Sequence, residues 1–171
     1  MTTGNIREAQ EKLVATIAQD PAKARVKNPS ATATLQDGLR TRVTGPRGEA
    51  VETDMPAAFG GTGSGANPGW LLRASLASCT ATAIAMRAAR LGISLETLEV
   101  SVESESDNRG VLGLDDKVSA ALPDLKMRVR IGAAGADAAQ LQEIVRWADA
   151  HSPVTCTLNA TQQSQLDIEV V

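Results

Sequence analysis

The sequence predicts an α+β fold in which a long apolar helix lies against antiparallel sheet. Three observations carry that reading. Asn67-Pro68 opens a run that keeps helical spacing to about Leu91 and stops at Gly92. Leu98, Val100 and Val102 alternate with Glu99, Ser101 and Glu103, as a strand with one solvated face does. Leu125, Met127, Val129 and Ile131 repeat that alternation.

Along the chain, Ile6, Ala9, Leu13, Val14 and Ile17 share one helical face, and Pro21 ends that helix. From Ser30 to Val51 the period changes to two, with turn signals at Asp37-Gly38 and Gly45-Pro46-Arg47-Gly48, which predicts three short strands. Residues 52–67 lose all period and hold Gly60, Gly61, Gly63 and Gly65, the mark of a loop. The run lacks the Gly-Lys-Ser/Thr ending of a nucleotide loop. In the helix after Asn67, the Leu, Ile and Ala residues leave little polar surface, so it is expected to be buried nearly all round. After the two later strands, Asp137 caps a helix to about Ala150, and Ser152-Pro153 opens a last short one. Leu166, Ile168 and Val170 alternate as a closing strand. A helix that needs covering on several sides, in a chain with so few large side chains, favours a homodimer.

Composition excludes several classes. With 171 residues the chain is expected to form one main core. The aromatic residues are Phe59, Trp70 and Trp147, too few for a base-stacking surface, and the formal net charge of -3 opposes binding to a phosphate backbone. No nucleic-acid partner is expected. No apolar run approaches the roughly 18 residues of a membrane span, and Arg73, Arg87 and Arg90 interrupt the central helix. The first residues lack a basic segment followed by an apolar one, which predicts a cytoplasmic chain.

In that compartment thiols rest reduced, so Cys79 and Cys156, the two cysteines, suggest redox chemistry more than a structural bridge. A thiolate that attacks a peroxide becomes a sulfenic acid, which a second thiol can resolve. Cys79 lies about three turns into the helix, where a thiol is ordinarily inert unless a cation stands near. Arg40, Arg42 and Arg47 are the candidates; Arg73 lies on another helix face. His151 is the single histidine, and with two distant cysteines it makes a poor metal set. No metal and no cofactor is expected. A Cys-His hydrolase is disfavoured, because amide groups in mid-helix are already bonded. Glu52, Asp54, Asp115 and Asp116 read as solvated loop charges.

Gly60-Gly61-Thr62-Gly63-Ser64-Gly65-Ala66-Asn67-Pro68, then Leu71-Leu72 and Ala77-Ser78-Cys79, resembles the OsmC/Ohr family; Ser152-Pro153-Val154-Thr155 resembles its second motif. The resemblance covers about residues 30–171. It divides the chain into an N-terminal helical extension, 1–28, and an OsmC-like domain, 29–171. It implies antiparallel sheets wrapped around long central helices in an intertwined homodimer, with active sites at the subunit interface. It also implies a thiol peroxidase acting on organic hydroperoxides.

On that resemblance Cys79 is the peroxide-attacking cysteine and Arg47 its activating cation, from either chain. Two positions depart from the pattern: Gly69 stands where the family commonly has Glu, and Ser152 where it has the second cysteine. Cys156 follows one helical turn later, and its side chain is expected to lean back toward Ser152 and resolve Cys79. Trp70 and Leu71 supply apolar surface for the substrate, with Ser152 beside it. A thiol or dithiol reductant would complete the cycle. The alternative is a non-catalytic member that binds a small apolar ligand or senses electrophiles through Cys79.

Overall fold

The structure, a computed structural model, describes residues 3–160 and 164–170. Helix α1 spans Thr3–Gln19 and is followed by a short 3-10 turn, Pro21–Ala24, capped by Asp20. Strands β1 (Thr32–Asp37), β2 (Arg40–Thr44) and β3 (Ala50–Thr53) form an antiparallel sheet in the order β1-β2-β3. The β1–β2 turn needs a residue at positive φ, and Gly38 supplies it at 56°. Cross-strand partners Arg42 and Glu52 join through an ion pair of 2.6 Å.

The long helix α2 spans Pro68–Arg90. Asn67 Oδ1 accepts from the Trp70 amide at 2.8 Å, and Pro68 occupies the first helical position, where no amide donor is needed. The helix ends in a Schellman turn: Gly92, at φ 73°, donates its amide to Ala89 O, and Ile93 donates to Ala88 O. Strands β4 (Thr97–Glu103) and β5 (Lys126–Gly132) pair antiparallel, with Leu98 opposite Ile131 and Val100 opposite Val129. The loop between them carries a one-turn helix, α3 (Asn108–Val111), that the polar composition conceals. Its start is fixed by Asp107, which accepts from the Arg109 amide.

Helix α4, Ala138–His151, starts with a reciprocal capping box between Asp137 and Gln140, and α5, Pro153–Asn159, starts at Ser152. The core joins Ile84 and Ala88 of α2 to Ile144 and Ala148 of α4, with the inner faces of β4 and β5 packed on it. This is the α+β architecture read from the sequence. None of the helices among the described residues is long and apolar enough to cross a membrane.

Three local expectations are corrected. Helix α2 is not buried all round: within one chain only the stripe Leu76, Thr80, Ile84 and Ala88, with Ala89, is buried, and Trp70 is 51% exposed. The strands of the β1–β3 sheet pack chiefly on one another rather than on α2, which is covered by α1, α4, α5 and β4. The closing strand does not form among the described residues 164–170. Alternation makes a strand only where a free edge accepts it, and Leu166, Ile168 and Val170 are left exposed.

Asp54 is the third correction. It is 2% exposed rather than solvated. Its carboxylate accepts from the amides of Met55, Thr62 and Ser64 and from the hydroxyls of Thr62 and Ser64, at 2.6–3.1 Å. Those bonds, the Thr62 hydroxyl foremost and then the Ser64 amide, hold the carboxyl well below the usual carboxylate range. The Gly-rich loop is thereby tied to the end of β3 just before α2 begins. Gly61 is obligatory there, because a Cβ would lie 1.9 Å from Met55 O.

Candidate active site around Cys79

Cys79 is half-buried on α2, and the start of α5 brings Ser152 against it. Ser152 is fully buried. Its Oγ accepts from the Thr155 amide at 3.4 Å, as an N-cap does, and donates to Cys79 Sγ at 3.3 Å.

A cavity of about 410 Å³ opens beside the thiol. Cys79, Thr82 and Met86 line it from α2, at spacings that put them on one helical face. Trp147 and His151 line it from α4, and Pro153 from α5. Its volume lies in the range of small-ligand sites. The wall is set by aromatic contacts: Trp147 and His151, one turn apart, stack with ring centroids 4.1 Å apart and planes within 10°. The Arg87 guanidinium lies 4.8 Å from the Trp147 ring centroid, a cation–π contact. His151 Nδ1 lies 2.7 Å from Trp147 O.

Of the residues singled out from the sequence, the structure brings together Cys79 and Ser152, with His151 on the wall of the same cavity. Cys156 is exposed on α5; its Sγ donates to Ala150 O at 3.4 Å, and it does not line the cavity. Arg47 lies in the β2–β3 turn with an 80% exposed side chain paired to Glu49 at 2.8 Å, apart from the Cys79 cavity of its own chain. Arg42 is held by Glu52. Trp70 and Leu71 stand in the first turn of α2, about 13 Å along the axis from Cys79, and outside the cavity lining.

Trp147, Met86 and Thr82 join the site without belonging to any sequence motif. The signal for the last two was present: Thr82 and Met86 stand three and seven residues after Cys79. Among the described residues, no group of three or more His, Cys, Asp or Glu side chains is placed to hold a metal ion.

The chain matches a family model described as OsmC-like protein over residues 61–167. No curated protein sequence matches it. Solved structures do. An OsmC-like protein from Mycoplasma pneumoniae superposes with a TM-score of 0.67 at 16% identity, covering 80% of this chain and 91% of that one. An organic hydroperoxide resistance protein from Legionella pneumophila gives 0.58 at 21% identity, covering 79% and 91%. A further one from Elizabethkingia anophelis gives 0.57 at 18% identity, covering 80% and 91%. These identities speak for the fold; the family model spans well over half of the chain. The chain belongs to the OsmC-like protein family.

Proposed function

We propose that this protein is a thiol-dependent peroxidase that reduces organic hydroperoxides at Cys79. The single observation that carries the reading is the placement of Cys79 Sγ at the wall of a cavity with an aromatic and aliphatic lining, under the Ser152 hydroxyl. A cavity bounded by Met86 and Trp147 suits an alkyl or aryl hydroperoxide better than hydrogen peroxide. Structural neighbours named as organic hydroperoxide resistance proteins support the same reaction class.

In the first step the Cys79 thiolate attacks the terminal oxygen of the hydroperoxide. The S–O bond forms as the O–O bond breaks, the sulfur is oxidised to a sulfenic acid, and the alkoxide leaves as the alcohol once protonated. A second thiol then displaces water from the sulfenic acid to give a disulfide, and a thiol or dithiol reductant returns both sulfurs to the reduced state. Cys156 is the internal candidate for that second thiol. Its thiol donates to Ala150 O, a bond it gives up before the two sulfurs meet.

The site is completed by a second copy of the chain. The exposed Trp70 and Met86 of α2, Leu35 and Val51 of the first sheet and Leu39 of the β1–β2 turn are the surfaces a homodimer would bury. A partner sheet laid over α2 would carry Arg47 toward the Cys79 cavity, where it would leave Glu49 and stabilise the charge developing on the peroxide.

Cumene hydroperoxide consumption in the presence of dithiothreitol tests the reading. Native protein is expected to consume it catalytically and the Cys79→Ser variant not at all; equal rates would reject it. A second reading, a protein that binds or senses electrophiles without turnover, is favoured by the outward direction of the Cys156 thiol. It predicts modification of Cys79 without sustained consumption.

A further inference from the structure

His151 takes no part in the steps above, yet it stands on the wall of the Cys79 cavity, one residue before Ser152. Its ring is held by the Trp147 stack and by the bond at Nδ1. A carbonyl oxygen only accepts, so Nδ1 carries the hydrogen, and in the neutral ring Nε2 keeps a free lone pair. An imidazole with one nitrogen tied to the backbone keeps the other as a candidate proton acceptor. Among the described residues that line this cavity, His151 alone carries a basic nitrogen.

The geometry points to His151 as the acid–base residue of the reaction at Cys79, an inference that rests on the hydroperoxide reading of the site. Nε2 takes the proton of the Cys79 thiol and generates the thiolate. After attack on the terminal peroxide oxygen, the imidazolium returns that proton to the departing alkoxide. The sum is thiol plus hydroperoxide giving sulfenic acid plus alcohol, with the imidazole neutral at start and end. Trp147 is a positioning residue in this scheme: it fixes the ring plane and supplies the carbonyl that sets the tautomer. A simple helix-end cap would account for the Nδ1 bond. The stack follows from the same one-turn spacing, and what sets the acid–base role apart is that the ring lines the cavity that Cys79 also lines.

Two variants separate these roles. His151→Asn keeps a side-chain donor near the Nδ1 position, and so the bond to Trp147 O, but has no basic nitrogen. His151→Ala leaves room for free imidazole. Two rates are followed by mass on the Cys79 peptide of the full-length protein: oxidation by stoichiometric cumene hydroperoxide and alkylation by iodoacetamide. The expected result is a loss of at least about tenfold in both rates for both variants, partly restored by imidazole in His151→Ala. Rates for His151→Asn within about twofold of native in both assays would overturn the assignment. Should the native protein resist the hydroperoxide, the peroxidase reading fails, and the alkylation arm alone decides whether His151 serves the thiol.

Discussion

Ser152 Oγ donates a hydrogen bond to Cys79 Sγ across 3.3 Å, and the hydroxyl is fully buried. The contact joins residues 73 positions apart, one from the middle of α2 and one from the cap of α5. It makes the start of α5 part of the thiol's electrostatic environment as well as a helix cap.

Replacing Ser152 separates those roles. Ser152→Ala removes the donor to sulfur and the acceptor for the Thr155 amide. The expected cost is about 1 kcal/mol of stability, read from urea midpoints, together with a severalfold slower oxidation of Cys79. Ser152→Cys instead sets a thiol beside Cys79. One equivalent of cumene hydroperoxide is then expected to give a disulfide between Cys79 and the introduced thiol, mapped by peptide mass, even in a Cys156→Ser background.

Asp54 gives a prediction with a defined sign in pH. Its native carboxyl titrates below its unfolded value, so its stabilisation is fully present above about pH 4 and is lost progressively as pH falls through the depressed native value. Asp54→Asn removes that charge. The Tm gap between native protein and variant is therefore expected to be constant from about pH 8 to 5 and to shrink steadily toward pH 3. A gap that widens on acidification would contradict the assignment of Asp54 as the anchor of the Gly-rich loop.

Glycines of this chain differ in what they spare. A Cβ on Gly61 would strike the Met55 carbonyl, so Gly61→Ala must displace backbone, at an expected cost of about 1–3 kcal/mol. Gly38 has open space around it and only its φ of 56° to protect. Gly38→Ala is expected to cost about 1 kcal/mol. Paired urea titrations rank the two.

The exposed first sheet makes assembly testable. Sedimentation equilibrium is expected to give twice the chain mass of 17.8 kDa. Leu35→Asp, which places a charge on a 66% exposed apolar strand position, is expected to shift the protein toward monomer and to lower peroxide consumption with it. A monomer with full activity would show that the site needs no second copy.

What could be read from the sequence was local. Asn67 and Pro68 fix the start of α2 and Asp137 that of α4 through contacts within one turn, and the alternation Leu98-Val100-Val102 sets which face of β4 packs inward. Ser152 was legible as a cap for the same reason. The missed features depend on distant partners. Asp54 is buried because donors eight and ten residues later fold back over it, and a lone Asp beside glycines carries no such signal. The cavity needs α2 and α4 side by side, so Trp147 entered no motif. The alternation of Leu166, Ile168 and Val170 states a preference for strand, but among the described residues these three side chains stay exposed and pair with neither sheet.

The central claim is that Cys79 is a nucleophile toward hydroperoxides, and intact mass tests it most directly. Reduced protein is given one equivalent of cumene hydroperoxide without reductant, beside Cys79→Ser and Cys156→Ser. The proposed mechanism predicts rapid oxidation that is absent in Cys79→Ser. It is a loss of two hydrogens in the native chain if Cys156 resolves the sulfenic acid, and an added oxygen on Cys79 in the Cys156→Ser variant. An unchanged mass in the native protein after minutes of exposure would contradict the peroxidase reading and leave a ligand-binding member of the family.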